Sequence, residues 1–447
     1  MAKRRGWAVW LYLLLYLALT VTMAASQPLS DPVNGTAPPD EAARYLIPQY
    51  IFRHGTLPTG LEEEVRIPAY GFSYGLYNTF PYILMGLAMR LAGLFTQDPG
   101  ALLLAARTVN VLSGLAMAAV VYRLSRLLFR REAAAWLFCA LVTFQPMNLF
   151  VHSYVNTDSF CLLSAALITL GMVRMCRRGA PDVRSCLDLA AGVILCALSY
   201  YSAYGYILCA ALFFLILFIR KEKPRYDWKG MLKWAVPTAL LAVAGTAWWF
   251  IRQAVVLDGD FLGLRTREQL ALRYALPEVS PLNTYQARGV SFFAMLGDMM
   301  ARGFPAKIAG TLIAAYGSLS IEPGLVYYIL FALVWAAGLA GCFPALRRAV
   351  REGRSFRQWF FHGCMLVCIL LPGVLLLRYC YTMDYQEQGR YLLPALVPAM
   401  MYIARGLETL TEKIMKEKAG RLLTACALMM VLLACYQVFA VALPRWL

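Results

Sequence analysis

Histidine and charge are what this sequence has least of. Its three histidines stand far apart, and its twelve cysteines contain no CxxC pair. A His/Cys zinc site and a disulfide framework are therefore excluded as readings, and the cysteines read as small apolar packing residues. Only 15% of the residues are charged, few ionisable groups interrupt the apolar runs, and no internal repeat is found. That argues against a transporter built from two matching halves around mid-membrane charges. No GxGxxG is present, so no Rossmann nucleotide-binding unit is expected.

What is there is apolar. The 447-residue chain is 60% hydrophobic, in repeated blocks near twenty residues long. A helix rises ~1.5 Å per residue and a bilayer core is ~30 Å thick, so each block is about one crossing. The blocks predict an all-α polytopic membrane protein with eleven spans near 7–26, 101–122, 133–150, 158–174, 187–201, 203–219, 231–251, 325–345, 360–378, 391–406 and 421–442. Two further apolar stretches, 76–95 and 303–320, carry Pro81, Arg90, Pro305 and Lys307 and read as re-entrant or interfacial helices, so the count runs from eleven to thirteen.

Lys3, Arg4 and Arg5 set the N-terminus inside, and the first run reads as a retained anchor rather than a cleaved signal. The inside segments then hold 27 basic and 8 acidic residues, while the outside holds 15 and 16. The net charge of +17 is mainly this topology signal, and nucleic acid is not an expected partner. The expected organisation is one transmembrane domain, 1–447, with outside loops at 27–100 and 252–324.

Polar chemistry gathers outside. In "PPDEAARYLIPQYIFRHGTLP", residues 38–58, Asp40 and Glu41 read as an N-cap and an acidic first-turn residue. A carboxylate held at a helix start just above the membrane is also placed to accept a proton from an incoming hydroxyl. In "HSYVNTDSFCLL" any of Asn156, Thr157 or Asp158 caps the next helix, Asp158 is a second acid candidate, and His152 is a relay or a solvated or hydrogen-bonded turn residue. In "MDYQEQGRYLLPALVP", Arg390 lies at the outer N-terminal end of a span, where macrodipole and positive-inside bias both oppose a cation. Either a phosphate or a salt bridge to Asp384 or Glu387 accounts for it. Arg107 sits about two turns inside the second span, which makes it a functional candidate by default. Arg44, His54, Arg265, Arg267 and Arg273 are further polar residues of the two outside loops, candidates for substrate contact or solvated side chains.

Together, "PPDE…ARYL…HGTLP", "VNTDSFCLL", "WWFIRQAVVLDGDFLGL" and "QGRYLLPAL" resemble the GT-C class of integral-membrane glycosyltransferases. The pattern is similar to predicted bacterial enzymes of that class and, more distantly, to protein O-mannosyltransferases and lipid A aminoarabinose transferases. The resemblance covers most of the chain as an ordered series of weak motifs, of which "QGRYLLPAL" is the most specific. It implies a GT-C bundle and a polyprenyl- or dolichyl-phosphate sugar as donor. It also implies transfer to an acceptor hydroxyl at the outer or luminal face, by inverting displacement. Asp40 matches the expected base, with Glu41 its neighbour; Asp158 matches the acid of the next outside turn, and Arg390 and Arg107 the basic residues set against lipid phosphate. Where many relatives have a His after the acidic pair, this chain has Arg44, which leaves donor and acceptor type open.

The expected partners are the lipid-linked donor, membrane lipids and an acceptor glycan, lipid or protein. No cofactor is required, and a divalent metal beside the acids is possible without being implied by their spacing. The expected location is a bacterial plasma membrane, N-terminus cytoplasmic and active site outside. A lipid or polysaccharide flippase and a non-catalytic assembly subunit are the alternative classes.

Overall fold

In the computed structural model, residues 2–77, 79–220 and 225–447 are described, the side chains of residues 2–5 excepted. The inside markers Lys3, Arg4 and Arg5, and positions 221–224 of the inside segment 220–230, therefore lie outside the described side chains or residues. Eighteen α-helices make up the described chain. In the first half they are α1 (Ala2–Ser26), α2 (Glu41–His54), α3 (Phe80–Ala92), α4 (Pro99–Leu128), α5 (Glu132–Thr143), α6 (Pro146–Val151), α7 (Asp158–Arg178), α8 (Val183–Ala197) and α9 (Tyr204–Ile216). In the second half they are α10 (Trp228–Val256), α11 (Leu264–Tyr274), α12 (Phe292–Ala301), α13 (Phe304–Ile313), α14 (Leu325–Arg351), α15 (Phe356–Thr382), α16 (Leu396–Met415), α17 (Ala419–Tyr436) and α18 (Leu443–Trp446).

Each of the eleven expected stretches contains a helix, and seven segments among the described residues are long and apolar enough to cross a membrane. The count of eleven is not reached by that measure. Helices α5, α8 and α9 are short, and 389–446 counts as one segment although a 3-10 turn at Lys416–Lys418 parts α16 from α17. The stretches around Pro81 and Pro305 form the short helices α3 and α13, each with its proline in the first turn, where its missing N–H costs nothing.

Helix α7 is central: 83% of its apolar window is buried inside the protein, against 6% for α10 at the edge. One large core, from Tyr12 and Leu19 on α1 through Phe138, Ile168 and Phe213 to Met430 on α17, holds the bundle together. Three smaller clusters pin the segments between the long helices. Ile47, Tyr82 and Met85 join α2 to α3; Phe72, Leu257 and Ala271 join residues 67–76 to the segment after α10; Tyr285, Met295 and Leu376 join α12 to α15.

Helices α14 and α16 meet backbone to backbone at glycines. A Cβ on Gly406 would stand 1.8 Å from the carbonyl oxygen of Gly338, and one on Gly341 would stand 1.9 Å from that of Gly406. Lipid supplies no hydrophobic drive between helices, so small residues that let backbones touch carry such packing. Gly406→Ala is expected to destabilise the fold by about 2 kcal/mol, because a backbone rather than a side chain must give way. A lowered melting temperature of the detergent-solubilised protein checks it.

Candidate active site

The segment between α1 and α2 ends in a strained residue. Asp40 occupies the N-cap position of α2 with φ 64° and ψ 0°, and its side chain makes no capping bond. Its carbonyl still accepts the first helical bond, from the Arg44 N–H at 2.9 Å. The expected cap role of the Asp40 side chain is thus corrected: the left-handed backbone turns the carboxylate away from the helix amides. Asp tolerates this conformation better than most residues, and such outliers cluster at functional sites.

The carboxylate goes instead to Arg390. Arg390 lies in the 3-10 turn Gly389–Ala395 that precedes α16, and its Nη2 donates to Asp40 Oδ2 at 2.6 Å. Neither expected acid partner is used, since Glu387 pairs with Lys307 at 2.7 Å and Asp384 accepts from Tyr70 at 3.1 Å. Nη1 of Arg390 donates to the Tyr154 hydroxyl at 2.8 Å, and its guanidinium lies 5.2 Å from the Tyr391 ring centroid. Arg390 is 3% exposed, while Asp40 keeps 30%. The ion pair is closed on one side and open on the other.

Arg44 and Asp158 complete the cluster. Arg44, one turn along α2, is buried, donates to Thr157 Oγ1 at 3.3 Å and to the Tyr82 hydroxyl at 3.4 Å, and lies 4.8 Å from the Tyr74 ring centroid. Asp158 opens α7 and is close enough to Arg44 and Arg390 to act on both charges. Three buried polar atoms here have no protein partner: Nε of Arg44, Nε of Arg390 and Oδ2 of Asp158. Two donors and an acceptor are thus left over in this cluster, and buried polar atoms are seldom left so. Burial pushes the Asp40 carboxyl up, but the Arg390 and Arg44 charges outweigh it and hold it below the usual range.

The remaining candidates have other roles or positions. Glu41 is fully buried and bound bidentately by Arg107, Nε to Oε1 at 2.8 Å and Nη2 to Oε2 at 2.6 Å; Glu41 also accepts from the Val155 N–H at 2.7 Å. Arg107 donates further to the carbonyls of Ala24 and Gln27, both at 2.8 Å, so its fork is saturated by protein and offers nothing to a phosphate. That pair ties α1, α2, α4 and the 152–157 turn together. Burial raises the Glu41 carboxyl against the pull of Arg107.

Thr157 holds the N-cap position of α7 without a side-chain capping bond, and Asn156 before it accepts from the Ser159 N–H at 3.0 Å while its amide serves the carbonyls of Val151 and Tyr154. His152 is a buried, hydrogen-bonded residue, its Nδ1 2.8 Å from the Asn148 carbonyl oxygen. His54 ends α2, about 20 Å along the helix from Asp40, and pairs with Glu64 at 2.9 Å. Arg265 is exposed and donates to the Asp258 carbonyl at 3.1 Å, and Arg273, exposed as well, lies 5.1 Å from the Tyr274 ring centroid. Arg267 lies 4.7 Å from the Phe72 ring centroid beside Tyr77, Tyr379, Tyr201 and Tyr200.

The tyrosines were missed at the sequence level. Tyr154 and Tyr391 stand inside the motifs singled out, and Tyr70, Tyr74 and Tyr77 share one short stretch, "AYGFSYGLY". That spacing was the available signal. Beside the cluster, a cleft of about 240 Å³ is lined by Ser280, Thr284, Arg288, Arg302, Asp384 and Tyr385 among others. Tyr70 links the two, bonded to Asp384 and within reach of the Asp40 charge. No three His, Cys, Asp or Glu side chains converge on a metal-sized site among the described residues.

Over residues 49–399 the chain matches the family model described as "Predicted membrane protein (DUF2142)". Its fold is also that of the oligosaccharyltransferase of Archaeoglobus fulgidus. The apo crystal structure superimposes over 100% of this chain and 57% of that one, with a TM-score of 0.56 at 14% identity. The oligosaccharyltransferase AglB from the same organism, in complex with an inhibitory peptide and a dolichol-phosphate, gives 0.55 at 13% identity over 99% and 56%. ArnT from Cupriavidus metallidurans, bound to undecaprenyl phosphate, gives 0.40 at 15% identity over 99% and 74%, too low to carry an argument. The chain spans a little over half the length of the oligosaccharyltransferase structures it matches. Among curated proteins none matches it. The fold class read from the sequence, an all-α GT-C-like membrane bundle, is the fold observed.

Proposed function

The chain belongs to the DUF2142 family of predicted membrane proteins, and from that premise we propose that it is a glycosyltransferase using a polyprenyl-phosphate sugar. The observation that carries this reading is the Asp40–Arg390 pair, flanked by Arg44 and Asp158, with two arginine Nε atoms and a carboxylate oxygen left over. Unused donors suit phosphate oxygens, and an unused carboxylate oxygen suits a sugar or acceptor hydroxyl. The dolichol-phosphate named with the archaeal enzyme supports a lipid-linked donor for this fold.

In this mechanism the acceptor oxygen attacks the anomeric carbon as the bond from that carbon to the phosphate oxygen breaks, with inversion. The leaving phosphate keeps the electron pair and needs no proton, because Arg390 and Arg44 hold its charge. Asp40 accepts the acceptor's proton. Its depressed pKa makes it a weak base, so it orients the hydroxyl first and takes the proton late, once the new bond has made that oxygen acidic. Asp158 positions the donor sugar, and the acceptor enters by the cleft at Asp384. Glu41 and Arg107 position the loop and touch no substrate. The chemistry is assigned to the outer face, with the N-terminus inside, and the cations that serve it are guanidinium groups; no metal is part of the proposal.

Purified protein in proteoliposomes, given radiolabelled polyprenyl-monophosphate sugars and a membrane extract as acceptor source, tests the reading. Label moved to an acceptor supports it. Lipid movement across the bilayer without transfer would assign the chain to the flippases instead. Arg390→Lys keeps the charge but loses the fork that reaches Asp40 and Tyr154 together, and is expected to lower kcat about tenfold. Single-turnover transfer rates at saturating donor check it.

A further inference from the structure

The end of the bundle opposite Asp40 carries a second charged feature. Helix α7 begins at Asp158 and ends at Arg178, so Arg177 lies about 29 Å from Asp158 along the axis, close to a bilayer core in thickness. Around that far end, the last turns of α4 and α7 and the first turn of α8 enclose an open cleft of about 660 Å³ lined by Arg123, Arg126, Arg174, Arg177, Arg178 and Arg184. Arg174 pairs with Asp188 and Arg178 with Asp182, while Arg177 donates to the Leu127 carbonyl. Among the described residues Arg123, Arg126 and Arg184 make no hydrogen bond or ion pair, and Arg123 lies within reach of the Asp188 charge. Against Asp182 and Asp188 the six guanidiniums leave an excess of four positive charges.

Topology alone asks only for basic residues on this side, in any arrangement. Here every cation is an arginine, none a lysine, and all six converge on one concave site. Arginine's planar fork matches phosphate oxygens in pairs, and it is the less hydrated cation. Asp182, paired with Arg178, also lines the cleft, and the Tyr122 ring and Leu127 supply its apolar wall, a surface of the kind an acyl chain covers and a water-soluble anion has no use for. We propose that this cleft binds the phosphate groups of an anionic membrane phospholipid in the leaflet opposite the active site. Basic pockets between transmembrane helices are suited to such headgroups. The lipid seats the ends of α4, α7 and α8 against one another, and α7 carries that anchorage to the helix start where Asp158 lies.

The test uses the full chain, stripped of lipid in detergent and titrated with diphosphatidylglycerol or phosphatidylcholine under native mass spectrometry. Diphosphatidylglycerol is expected to bind and phosphatidylcholine not. The triple variant R123Q/R126Q/R184Q is expected to bind at least tenfold more weakly, each arginine being worth about fivefold near an anionic headgroup. Inorganic pyrophosphate at millimolar concentration is expected not to displace the lipid; displacement would make the ligand a soluble anion and overturn the lipid assignment. Equal affinity in the triple variant, or equal binding of phosphatidylcholine, also overturns it. Should the variant not fold, photoreactive phosphatidylglycerol on the unaltered protein decides: label on residues 122–127 and 174–184 upholds the site, and label confined elsewhere sinks it.

Discussion

Asp40→Asn is expected to lower sugar transfer by about a thousandfold, within the range lost when a positioned general base is removed, while the protein still folds. Asn is the right replacement because position 40 needs a residue that accepts φ 64°, and Asn does so at least as readily as Asp. The side chain makes no cap to preserve. The variant does lose the charge facing a nearly buried Arg390, so its melting temperature should fall by a few degrees. Transfer is therefore compared per folded molecule, and full activity in the variant would remove Asp40 from the chemistry.

The pH profile gives an independent check. Arg390 and Arg44 hold the folded-state pKa of Asp40 below its ordinary 3.8. The stabilisation from this pairing is fully present above the unfolded-state value and is lost as pH falls through the lower folded-state value. Transfer should accordingly be flat through neutral pH, with no acid limb above pH 3.8. A limb near pH 6 would point to a base with a raised pKa elsewhere.

Glu41→Ala is expected to destabilise the protein by about 4 kcal/mol, the cost of leaving a buried arginine without its partner. Arg107 is 2% exposed and would keep only carbonyl acceptors. The double variant Glu41→Leu/Arg107→Met should recover most of that loss, since two apolar side chains of similar volume remove the unpaired charge. Chemical denaturation of wild type, both single variants and the double variant forms the cycle that measures the coupling. A loss below about 1 kcal/mol in Glu41→Ala would mean that the pair is not what fixes α2 and the segment before it to the bundle.

The neighbouring acids Asp40 and Glu41 show how far the sequence could be read. Their proximity to a helix start was legible from Pro38 and Pro39, and so was their place outside the apolar runs. Which of them faces the cluster was not, because that depends on one backbone dihedral that turns Asp40 toward Arg390 and leaves Glu41 pointing inward. Arg107 stood out as a costly charge within an apolar helix, and the cost is real. Its partner is a carboxylate 66 positions away, a separation at which local pattern says nothing about contact.

Length and spacing of apolar runs determined by themselves that this chain crosses a membrane as helices, since hydrocarbon forces backbone groups to bond within each segment. The GT-C resemblance was also present in the residue order. Tertiary structure alone decided that Arg390 meets Asp40 across 350 positions, that Arg107 is spent on Glu41, and that six arginines from three helix ends share one cleft. Such pairings are fixed by how helices pack, and packing depends on shape at contacts like Gly341 against Gly406 that no periodicity encodes.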